Sequence, residues 1–154
     1  MKNIRYHTLL ISAFFLLFYL PLAANNQSHN STEFQARITP LSEKQKAHMI
    51  RTGVYYDECP VLLDQLRSIH FSYIDFSGNT QHDGLLVMRF DAAEAIVPIL
   101  KALYTQRFPI KKSIPIEYYD GDDDRSMADN NTSSYNCREI TDQPGIFSQH
   151  AYGV

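Results

Sequence analysis

Leu66-Arg67-Ser68-Ile69-His70-Phe71-Ser72-Tyr73-Ile74-Asp75-Phe76 runs into Ser77-Gly78-Asn79, and Leu85-Leu86-Val87-Met88-Arg89-Phe90 follows. The first run is rich in Ile, Phe and Tyr, the middle triplet is a turn signal, and the last run is apolar, so the stretch predicts a hairpin of two antiparallel strands. Directly downstream, Asp91 with Glu94 forms an N-terminal capping pattern, and Ile96, Ile99, Leu100 and Leu103 recur at helical spacing. A helix to about Arg107 is expected there. Pro98 removes a backbone donor inside it, which predicts a kink or a tightened first turn.

Upstream, Ser42 and Gln45 make a capping box and Gly53 supplies a left-handed C′ residue, predicting a helix over Glu43 to Thr52. Downstream, Phe108-Pro109 ends the second helix, Ile110 to Ile116 reads as extended, and a polar loop reaches Tyr135. Asn136 to Ile140 and Phe147 to Tyr152 read as short strands flanking the turn Asp142-Gln143-Pro144-Gly145. Helices and antiparallel strands mix without βαβ alternation, so the expected class is α+β, a small antiparallel sheet with flanking helices.

The chain has 154 residues, a soft prior for one domain. Lys2 and Arg5 precede an uncharged run from Thr8 to Leu20, then Pro21-Leu22-Ala23-Ala24, which reads as a signal peptide over residues 1–24. An uncleaved anchor is the alternative, because Thr8 to Ala24 is 17 uncharged residues, at the short limit for a membrane helix. Contact with a membrane is expected only in that case. Residues 25–40, polar and containing Asn30-Ser31-Thr32, read as a flexible tether.

Formal charge is -3 from 14 basic and 17 acidic side chains, and removing residues 1–24 with Lys2 and Arg5 leaves 12 against 17, or -5. That balance excludes a nucleic-acid partner. Export makes Cys59 and Cys137 a plausible disulfide, with two buried free thiols as the alternative.

The run Asp120-Gly121-Asp122-Asp123-Asp124 starts with the alternate spacing of a calcium loop. Arg125 stands where the loop needs glycine and Asn131 where it needs a bidentate Glu, so a solvated acidic turn is the expectation. Neither Cys59 nor Cys137 has a second Cys or His at zinc-ligand spacing.

Ser148-Gln149-His150-Ala151-Tyr152-Gly153 carries more information. It resembles the Ser-x-His-x-x-Gly-x-Ala-x-Asp motif of zinc peptidases related to D-alanyl-D-alanine carboxypeptidases, the VanY-like group that shares a fold with hedgehog and lysostaphin-type enzymes. Asp123-Asp124-Arg125-Ser126-Met127-Ala128-Asp129-Asn130-Asn131-Thr132-Ser133-Ser134-Tyr135-Asn136-Cys137-Arg138 looks like the same group. So do Cys59-Pro60-Val61, Ser72-Tyr73-Ile74-Asp75-Phe76 and Arg107-Phe108-Pro109-Ile110. The likeness covers roughly residues 55–153.

The resemblance implies zinc as cofactor, with His150 as first ligand and Ser148 and Gly153 as motif positions. It implies an arginine that steadies the developing oxyanion, with Arg125 the better candidate and Arg138 its rival. The implied substrates are peptidoglycan stem peptides, met by an exported, periplasmic or secreted bacterial protein. The motif Asp would fall at position 157, beyond Val154, and the second His and catalytic Glu farther on. Residues 41–154 are therefore expected to be the N-terminal portion of a truncated peptidase domain, inactive alone, with residues 136–154 poorly packed at an incomplete edge. The alternative is a non-catalytic exported module that binds peptidoglycan or another partner.

Overall fold

The computed structural model describes residues 33–154. The signal-peptide reading and residues 25–32 of the expected tether lie outside them. The architecture is α+β: an antiparallel sheet in the order β1-β2-β3, a separate hairpin of β4 and β5, and three helices. Its centre is the predicted hairpin, β2 Leu66–Ile74 against β3 Thr80–Arg89. Asp75 closes the turn by accepting the Ser77 and Asn79 N–H groups at 2.8 and 2.9 Å. Between Phe71 and Tyr73 the register shifts, so His82 and Asp83 together oppose Ser72.

The end of the expected tether is instead a strand. β1 Ala36–Pro40 pairs with β2 from Ala36 opposite Phe71 to Pro40 opposite Arg67. Phe34 and Ile38, two of the alternate apolar positions beside polar Gln35, Arg37 and Thr39, pack against the core, and that period of two orders the segment.

α1 Glu43–Arg51 has the predicted cap, Ser42 Oγ accepting the Gln45 N–H at 3.2 Å, and Gly53 follows it at φ 73°. The reciprocal half of the expected capping box is not made. The Gln45 amide reaches across the fold to Ser68 and Glu117. α2 Phe90–Thr105 continues through Pro98, and its N-cap is Arg89 rather than Asp91. Asp91 receives two hydrogen bonds from the Arg89 guanidinium, at 2.7 and 2.8 Å, which hold its carboxyl down at about 2.

Alternation along the strands builds two cores. Ile69, Phe71 and Tyr73 with Leu86 and Met88 pack on Ala93 and Leu100 of α2. Leu66 and Val87, of opposite parity, join Met49, Val54, Ile116, Tyr135 and Ala151 in a second cluster. Cys59 and Cys137 lie in that cluster and form a disulfide with their Cα atoms 5.9 Å apart. A disulfide is compatible with export, and no described helix is long and apolar enough to cross a membrane.

The polar loop before Tyr135 contains structure that the sequence reading missed. A 3-10 turn, Ile116–Tyr119, precedes α3 Asp123–Ala128, whose N-cap Asp122 accepts the Arg125 N–H at 2.9 Å. Most of the acidic run thus serves as a cap and first helical turn. β4 Glu139–Ile140 and β5 Gln143–Phe147 form a hairpin that turns earlier than expected. Gln149–Tyr152 is a 3-10 turn, not a strand.

Residues 136–138 and 147–153 are fastened, contrary to the expected loose edge, whereas the β4–β5 hairpin between them is exposed, in line with it. The outer edge of β3 is met by three irregular segments: the Leu85 N–H donates to Ser113 O, the Tyr135 N–H to Val87 O, and the Arg89 N–H to Gly153 O, at 2.9 to 3.0 Å. Ladder groups that an edge would expose are thereby paired.

Candidate functional site

Gly153 shows why the motif needs glycine. Its φ is 71°, and a Cβ there would come within 2.7 Å of the Arg89 backbone N. The chain must press onto the end of β3 at this point, and that contact seats the 3-10 turn bearing His150. Ser148 caps that turn with its backbone tied to Arg138, its N–H donating to Arg138 O at 2.9 Å. Its own Oγ is buried and has no hydrogen-bond partner among the described residues. Asn136 is buried, and its N–H donates to His150 O at 3.3 Å. Its side chain reaches 15 positions back to Gly121 O and 13 positions back to Asp123 Oδ1, at 3.2 and 3.0 Å.

These links surround a cavity of about 650 Å³ lined by Asp123, Asp124, Arg138, Glu139 and His150, among others. Arg138 Nε forms an ion pair with Asp123 Oδ2, and its Nη1 donates to Glu139 O at 3.2 Å. Asp123 is therefore gripped on both oxygens, by Asn136 and by Arg138, and it orients the guanidinium in turn. α3 is braced at its far end too. Asp129, just past the helix, accepts from Lys112 and from the Tyr119 hydroxyl, and these bonds hold its carboxyl below the ordinary value.

The two arginine candidates separate clearly. Arg138 lines the cavity with His150, whereas Arg125 is 58 % exposed, donates to Asp120 Oδ2 and Tyr119 O at 3.4 Å, and does not line it. Cys137 sits between Asn136 and Arg138, so the disulfide anchors the strand of residues that builds this wall. Asp123 and Asn136 were not singled out in the sequence. Their partners lie far along the chain, and only their place in the resembling stretch marks them.

The donor set does not amount to a zinc site. Among the described residues no group of three His, Cys, Asp or Glu could hold a metal ion, and His150 is the sole imidazole at this cavity. What the arrangement offers is an oriented guanidinium, a carboxylate that positions it and one imidazole around an open, polar space. No family model, no curated protein and no solved structure matches the chain.

Proposed function

We propose that the chain is a relative of the zinc-dependent D-alanyl-D-alanine carboxypeptidase-like peptidases and that this cavity engages peptidoglycan stem peptides. The observation that carries the reading is the convergence of His150 and Arg138, two positions that the resemblance marks, on one cavity. Arg138 is the residue we assign to a substrate oxyanion or terminal carboxylate, because Asp123 and Asn136 preorganise it and Arg125 lies elsewhere. Since the donors present do not make a zinc site, no hydrolytic step is derived for them, and the reading for this chain is recognition of the peptide.

The test is calorimetric titration of the full chain with a stem peptide ending in D-Ala-D-Ala, with D-Ala release and bound zinc measured alongside. Binding without turnover is expected, weakened about tenfold by Arg138→Gln as one charged hydrogen bond is lost. Release of D-Ala at one bound zinc per chain would replace recognition with catalysis. Absence of binding to both peptide and purified sacculi would remove the family reading from this cavity.

A further inference from the structure

The face of the sheet turned away from α2 is polar where it leaves the second core. Ser68, His70 and Ser72 alternate along β2, with Thr39 and Arg37 paired opposite Ser68 and His70 on β1. Two cavities open on this face and share His70. One, of about 550 Å³, is lined by Lys44, His48, Arg51 and Ser68 among others; the other, of about 360 Å³, by Arg37, Ser72 and His82 among others. No carboxylate lines either cavity.

That composition runs against the rest of the chain, in which acidic groups outnumber basic ones by 17 to 14. Arg37, Lys44 and Arg51 form no ion pair among the described residues, a state they share with Arg67, Lys101, Arg107 and Lys111; what sets them apart is that they converge on cavities without a carboxylate. Three cations with no carboxylate beside them in this concave space repel one another until an anion enters. Two carboxylates of neighbouring segments are engaged elsewhere. Glu43 pairs with Lys46, and the buried Glu117 accepts from Gln45 beneath the floor, where Gln45 also takes the Ser68 hydroxyl proton. Burial, and after it the charge of Arg37, lowers the pKa of His70.

We propose that this double cavity is a binding site for a ligand with two linked phosphoryl groups, one for each lobe, with His70 between them. Guanidinium, ammonium, imidazole and hydroxyl donors suit tetrahedral oxyanions, and the site is independent of the Arg138 cavity and of any peptidase reading. A free diphosphate presents that chemistry, whereas a phosphatidylglycerol surface presents single phosphodiesters and so distinguishes a linked pair from a general anionic surface.

Inorganic pyrophosphate and vesicles of phosphatidylglycerol, with phosphatidylcholine as control, would be titrated into the full chain while the four described histidines are followed by NMR. Binding of pyrophosphate should raise the titration midpoint of His70 and move His48 and His82, leaving His150 unchanged. Replacing Arg37, Lys44 and Arg51 singly by Gln, all three exposed, should weaken binding about tenfold each. Response to phosphatidylglycerol vesicles alone would overturn the linked pair in favour of an anionic lipid surface. Response to neither probe, or movement of His150 with the others, would overturn the proposal, and the wild-type spectra decide between these outcomes even if a variant fails to fold.

Discussion

On one face of the sheet, Ile69, Phe71, Tyr73, Leu86 and Met88 meet a single 16-residue helix that follows β3 directly. On the other face, Leu66 and Val87 meet Met49, Val54, Cys59, Ile116, Tyr135, Cys137 and Ala151, which arrive from widely separated parts of the chain. The first face is made by local periodicity. The second is made by contacts between distant segments, fastened by a disulfide spanning 78 positions and by buried polar side chains such as Asn136 and Glu117. The candidate site lies on the second side, so its geometry depends on the constraints that cost most chain entropy to establish.

Opening the disulfide should be the most damaging change. A loop of 78 residues corresponds to about 4 kcal/mol of restricted unfolded chain, so a Cys59→Ala, Cys137→Ala double variant should lose about that much stability in urea unfolding. Amide exchange would sharpen the contrast. The N–H groups of Cys137, Ser148 and Arg89 should exchange earlier than those of β2, such as Ile69. Equal acceleration on both faces would show one cooperative unit and break the distinction.

A smaller loss is expected from Gly153→Ala, which strains a left-handed backbone and drives a methyl against Arg89 N. The cost should be about 2 kcal/mol, read from the urea midpoint. The amides of Asn136 and Arg138 should shift in NMR spectra while Ala93 and Leu100 stay in place. Unchanged stability would mean that the turn bearing His150 is not seated through Gly153.

The same contrast explains what was legible in the sequence. The β2–β3 hairpin and α2 follow from alternation and helical spacing, and α1 from Ser42 and Gly53, because each signal and the structure it specifies occupy the same few residues. β1 carried an alternating signal at Phe34 and Ile38, obscured by the polar stretch before it and completed only by pairing with β2 some 30 positions away. α3 has six residues and no apolar stripe, so nothing but its cap announced it. At the site, the motif marked His150 and Gly153, but no local pattern could choose between Arg125 and Arg138. Asp123 reaches Arg138 and not Arg125, and that contact exists only after the chain folds back. Asn131, which stands where a calcium loop would need a bidentate Glu, exchanges two side-chain bonds of 2.9 Å with the Ile114 backbone, 17 positions away.

The smallest effect concerns the carboxyl buried on the irregular side. Glu117 is 1 % exposed, and its carboxyl accepts only neutral hydrogen bonds, from its own backbone N–H and from Gln45 Nε2, the latter at 3.3 Å. Burial raises its pKa above the ordinary value of 4.5, the backbone hydrogen bond and then the Gln45 bond only partly opposing the rise. The folded protein therefore holds this proton to a higher pH than the unfolded chain does. Above pH 4.5 the native state binds more protons than the unfolded state, so the contribution of Glu117 to stability falls as pH rises through the folded titration. Glu117→Gln retains an oxygen for Gln45 and removes the charge, so the variant should gain on wild type between pH 4 and pH 7, by on the order of 1 kcal/mol. Parallel stability curves across that range would mean that the carboxyl carries no penalty for ionising. The irregular side would then tolerate charge as a wet surface does, and the contrast between an apolar face and a polar-braced one would lose its energetic basis.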